Sequence, residues 1–113
     1  MNINISNSSG ESIYLQIANQ IKTLILEGKL KEGEMLPSMR ILATELRISF
    51  MTTKRAYEEL ERDGFIESYT GRGSFVKAQN LELYREEQIK RIESLLIEAS
   101  DTAQKAGITM QNR

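Results

Sequence analysis

Three stretches of the chain carry apolar residues at three- and four-residue intervals, the spacing of helices lying on a core. Ile13, Ile17, Ile21, Leu24 and Ile25 form the first, and Gly28 stands where that helix ends. Ile41, Leu42, Ala43 and Leu46 give a second, shorter helix its buried side; it opens near Ser38, just after Pro37, the only proline. Thr53, Ala56, Tyr57 and Leu60 mark the third, over residues 50–63, with Ser49 as its N-cap. The period then shortens. Phe65, Ile66 and Tyr69, the turn Thr70-Gly71-Arg72-Gly73, and Ser74 to Lys77 predict a β-hairpin over 65–77.

From Leu81 to Ala106 the helical spacing returns in Ile89, Ile92, Leu96, Ala99, Ala103 and Ala106, a seam of coiled-coil type that Leu95 and Ile97 widen. Residues 1–10, MNINISNSSG, are polar and read as a loose arm. Gly107 to Thr109 read as the start of a further turn or helix that Met110 to Arg113 leave no room to complete.

The predicted fold class is mainly α with a small β-hairpin wing. Two short helices joined by about three residues form a helix-turn-helix, whose second helix enters a DNA major groove N-terminal end first. The expected organisation is a winged helix-turn-helix in residues 1–78 and a helical dimerisation tail in 79–113, with Ile89, Ile92, Leu96, Ala99 and Ala103 as the seam.

Composition narrows the function. The 113 residues contain no cysteine and no histidine, so disulfides, thiolate metal sites and the commonest general base are absent, and neither a metal nor a cofactor is expected. No acid/base, nucleophile or phosphate-cradling set appears, and Gly71-Arg72-Gly73 lacks the strand-loop-helix setting of a nucleotide site. An enzyme is not expected. No signal segment or membrane-length apolar run is visible, which predicts a cytoplasmic protein.

Net charge is −1, without the basic excess common in nucleic-acid binders. Local placement therefore decides, because potentials at a surface are screened over about 8 Å at physiological salt. The third helix begins with Met51, Thr52, Lys54 and Arg55 on its outer side and turns acidic only at Glu58, Glu59 and Glu61. Arg40 occupies the first turn of the second helix, where the helix dipole disfavours a cation and an external anion would favour it. Arg72 is lifted between two glycines at the hairpin tip. A second reading stays open: a winged-helix protein-interaction module without DNA binding, consistent with the acidic half of the third helix and the near-neutral charge.

The stretches YLQIANQIKTLILEGKLKEGEMLPSMRILATELRIS, TKRAYEELERDGFIE and GRGSFV resemble the N-terminal winged helix-turn-helix of the GntR family of bacterial transcriptional regulators. The likeness runs without a gap from Ile13 to Val76 and rests on LPS-x-R at Leu36 to Arg40, A-Y-E-E-L at Ala56 to Leu60 and G-R-G-S-F-V at Gly71 to Val76. It implies a homodimeric repressor on double-stranded operator DNA, with contacts at Arg40, Ser49, Thr52, Lys54, Gly71, Arg72 and Gly73. Arg55 joins this set from the charge pattern. Many members carry glycine at the position of Arg47, arginine at that of Phe50 and a small polar residue at that of Met51, so the operator sequence does not transfer from relatives. The 35 residues of the tail 79–113 are too few for a folded effector domain of roughly 100 residues, and the tail resembles that of the short YtrA-like branch. No small-molecule effector is legible.

Overall fold

The computed structural model describes residues 1–109. In chain order the elements are α1 (Ile13–Leu26), α2 (Met39–Leu46), α3 (Phe50–Arg62), β1 (Ile66–Tyr69), β2 (Gly73–Val76) and α4 (Leu81–Lys105). They fall into two compact units, Met1–Gln79 and a second beginning at Asn80.

In the first unit, α1 and α2 pack on α3. The core gathers Ile17, Ala18, Ile21 and Ile25 of α1, Leu42 of α2, Ala56, Tyr57 and Leu60 of α3, and Ile66 and Val76 of the hairpin. Caps set the boundaries of the two short helices. Ser38 accepts a hydrogen bond from the Ile41 amide at 3.2 Å, and Ser49 accepts one from the Thr52 amide at 3.1 Å. Between them α2 ends on Arg47, which adopts the left-handed conformation at φ 57° and lets the Ile48 amide donate back to the Ala43 carbonyl at 3.0 Å.

The strands pair antiparallel in the register Ile66↔Val76, Glu67↔Phe75, Ser68↔Ser74 and Tyr69↔Gly73. The second strand thus starts at Gly73, one residue earlier than the pattern indicated, and Thr70, Gly71 and Arg72 form the tip. The connector before α2 flanks the other edge of β2. Gly33 and Leu36 amides donate to the Val76 and Ser74 carbonyls, and the Val76 amide donates to Glu34. This pairing covers an otherwise open sheet edge.

Two expectations fail. Ile41 does not belong to the buried side of α2: it is 56% exposed, and Leu42 and Ala43 carry the contact instead. Residues 1–10 are not a loose arm. Ile3 is buried in the core and Ile5 packs against it. Two α1 glutamines one turn apart hold the backbone between them. Gln20 accepts from the Asn4 amide at 2.9 Å and donates to the Asn4 carbonyl at 2.6 Å. Gln16 accepts from the Ser6 amide and donates to the Ser6 carbonyl, both at 2.8 Å. Each side-chain amide thus behaves like a strand neighbour.

The second unit is the 25-residue α4, capped by the Asn80 side chain, which accepts from the Leu83 amide at 3.0 Å. None of its residues is buried. The turn expected at Gly107 is present and closes this helix after its Ala106 cap, with the Ile108 amide bonded back to the Ala103 carbonyl at 2.8 Å; among the described residues no further helix begins there. The expectation about Met110 to Arg113 lies outside the described residues.

Candidate nucleic-acid interface

The Ser49 cap fixes the first turn of α3. Its hydroxyl also lies 2.8 Å from the Thr52 hydroxyl, so the two side chains are oriented by each other. Thr53, one residue on, is fully buried, which points the neighbouring Met51 and Lys54 outward. The buried side of the helix is anchored at Tyr57, whose hydroxyl donates to the Pro37 carbonyl at 2.6 Å. Burial, reinforced by Glu45, pushes the Tyr57 phenol well above its ordinary range and keeps it neutral. This bond ties α3 to the residue just ahead of the α2 cap, and so fixes where Arg40 emerges.

Two arginines of the predicted set are held by aromatic rings rather than carboxylates. The Arg40 guanidinium lies 5.0 Å from the centroid of Phe50, and that of Arg55 lies 3.9 Å from the centroid of Tyr14, with a 3.3 Å bond to the Tyr14 hydroxyl. Such stacking restrains a guanidinium without cancelling its charge. Arg40, Phe50, Gly73 and Ser74 line one shallow notch with Ser38 and Tyr57, so the start of α2, the start of α3 and the start of β2, next to the wing tip, meet there. Arg55 stands apart from that notch, against α1.

The wing tip depends on its glycines. Gly71 has φ 78° and Gly73 φ 110°, both in the region that side chains with a Cβ rarely adopt. At Gly73 a Cβ would also sit 3.4 Å from the Met35 sulfur. The Arg72 amide donates to the Tyr69 carbonyl at 2.9 Å, and its side chain is exposed. Along β1 the Tyr69 hydroxyl donates to Glu67 at 2.6 Å. That bond, aided by Lys77, holds the Glu67 carboxyl below its usual range and raises the Tyr69 phenol.

Charge pairing divides the first unit. Lys22, Lys29, Arg62 and Lys77 are each bridged to a carboxylate: Asp63, Glu27, Glu59 and Glu67 respectively. Among the described residues of this unit, Lys31 in the connector and Arg40, Arg47, Lys54, Arg55 and Arg72 on α2, α3 and the wing have no such bridge, and all are exposed. The first turn of α3 contains no acidic residue. The structure therefore gathers Arg40, Ser49, Thr52, Lys54 and the start of β2 around one end of α3, and carries Arg72 at the wing tip. Pattern reading missed Tyr14 and the stacking role of Phe50. No local signal marks the first, because Tyr14 and Arg55 are 41 positions apart.

Residues 13–76 match the family model described as bacterial regulatory proteins, gntR family. The chain belongs to the gntR family. It is thus a transcriptional regulator rather than an enzyme. It is 37% identical over 109 residues to the HTH-type transcriptional repressor YtrA of Bacillus subtilis, covering 96% of this chain and 84% of that one. Among solved structures it is similar to YtrA from Sulfolobus acidocaldarius, a GntR-family transcription factor, with TM-score 0.66 and 38% identity over 81% of this chain and 97% of the other. It also shares its fold with AraR(DBD) in complex with operator ORE1, at TM-score 0.57 and 24% identity, covering 67% of this chain and 93% of that one. As a YtrA-like gntR protein, it has the mostly helical winged architecture of these neighbours. Among the described residues no helix is long and apolar enough to cross a membrane.

Proposed function

We propose that this gntR-family regulator is a homodimeric repressor that binds operator DNA in the cytoplasm through α3 and the wing. The observation that carries the reading is that Arg40, Arg47, Lys54, Arg55 and Arg72, on α2, α3 and the wing, are all exposed without carboxylate partners, in a chain whose net charge is −1. Positive charge left unpaired on α2, the first turns of α3 and the wing fits the phosphate backbone on either side of a major groove. Thr52 and Lys54 face base edges or adjoining phosphates, Arg40 and Arg55 hold the backbone, and Arg72 reaches toward the minor groove. The complex of AraR(DBD) with operator ORE1 supports the use of this fold on DNA.

Dimerisation rests on α4. Ile89, Ile92, Leu96, Ala99 and Ala103 fall within about 80° of one another at 100° per residue, and Ile92 and Leu96 are 55% and 61% exposed. A stripe of that kind calls for a partner helix, and two heads pair half-sites about one DNA turn apart. The test is an Arg40→Ala, Lys54→Ala double variant. It loses retention of promoter DNA while sedimenting as the same dimer. A variant that retains function in cells, or retains the DNA, overturns the reading in favour of a protein-interaction module.

A further inference from the structure

Met51 is the more exposed of the two large apolar side chains, Phe50 and Met51, at the start of α3. It is 65% exposed, lies in the first turn, and is followed at three and four residues by Lys54 and Arg55. Those spacings make all three neighbours on one helix surface. The core cluster and the hydrophobic residues packed around it do not include Met51, so its exposure is not the edge of an internal contact. Its neighbour Phe50 has its ring engaged by Arg40. Met51 alone in this turn therefore projects an unengaged apolar group.

A major groove offers nitrogen and oxygen donors and acceptors at every base pair and a single kind of apolar group, the C5-methyl of thymine. A thioether forms no strong hydrogen bond, but it is flexible and polarisable and packs well on a methyl. Arginine at such a position selects guanine through O6 and N7; methionine has nothing to offer those atoms. We infer that Met51 reads thymine by contact with its C5-methyl, so each half-site bound by this protein holds a thymine under the first turn of α3. The inference rests on the DNA-binding reading above and adds the base chemistry to it.

The experiment selects duplexes from a random-sequence pool with the full chain. Each thymine of the enriched half-site is then replaced in turn by uracil, which pairs identically and lacks only the methyl. Binding by the unaltered protein weakens about fourfold at one position, the value of one buried methyl, and Met51→Ala is insensitive to uracil there. Because Met51 is exposed, the variant keeps its thermal midpoint, which separates readout from folding. Uracil tolerated at every position overturns the inference while leaving DNA binding intact. A penalty of equal size in Met51→Ala overturns it too, by assigning the methyl effect to DNA shape. If no duplex is enriched, the DNA-binding reading falls and takes this inference with it.

Discussion

The Arg40 guanidinium stands over the Phe50 ring, 5.0 Å from its centroid, joining the first turn of α2 to the first turn of α3. The contact orients a cation that no carboxylate neutralises. An exposed cation–π pair is worth about 0.5 to 1 kcal/mol. Phe50→Ala and Phe50→Leu should both weaken operator binding by about two- to fivefold, since neither offers a ring. The salt dependence should stay unchanged, because Arg40 keeps its charge. An anisotropy titration of the three proteins on one duplex measures both quantities.

Arg47 carries a conformational cost in the free protein. A side chain at φ 57° is strained by about 1 kcal/mol relative to glycine. Arg47→Gly should stabilise the free protein by about that amount in urea denaturation. It should also lower DNA affinity, with a salt slope shallower by about one if Arg47 neutralises a phosphate. Opposite signs in the two measurements are the expected signature.

Tyr57 gives the fold an alkaline limit. Its folded-state pKa is raised by burial, so its contribution is fully present below the ordinary phenol pKa of about 10. Above that, the unfolded chain releases the proton and the folded chain does not, so stability falls as pH rises toward the folded-state value. Tyr57→Phe should lose about 1 to 2 kcal/mol at neutral pH, because the Pro37 carbonyl loses its partner. It should also show a flatter decline above pH 10. Denaturation midpoints at several pH values resolve the two effects.

The arm at residues 1–6 should behave as part of the folded unit. Ile3→Ala should cost roughly 2 kcal/mol, at the low end for a buried isoleucine. Gln16→Ala should slow nothing in the helix itself, yet free the Ser6 amide and carbonyl for rapid hydrogen exchange and proteolysis. An unchanged exchange profile for both variants would mean the arm is not held.

What the sequence revealed depended on how local each signal was. The faces of α1 and α3 were legible because each helix repeats its apolar positions over three or more turns. In α2, only eight residues long, Ile41, Leu42 and Ala43 are adjacent, and two turns are too few for the period to choose among them. The hairpin was legible from Gly71-Arg72-Gly73, since few backbones need glycines so spaced. The held arm was not: Ile3 and Ile5 sit in a polar stretch, and the groups that clasp it, Gln16 and Gln20, look like solvent-facing positions of α1. The strand-like pairing of Gly33 to Leu36 was hidden for the same reason, its partner β2 lying some forty residues on. In the candidate site the cations were visible, but the rings that orient them were not, because stacking on Tyr14 and Phe50 depends on how the elements pack.

The most direct test of the central claim is a fluorescence anisotropy titration of the full chain on an enriched duplex and on a scrambled one, across about 50 to 200 mM salt. The account predicts preference for the enriched duplex and a linear fall of log affinity with log salt, about 0.9 per phosphate neutralised, shallower in the Arg40→Ala, Lys54→Ala variant. Equal binding to both duplexes, or a slope the double variant does not change, would contradict it.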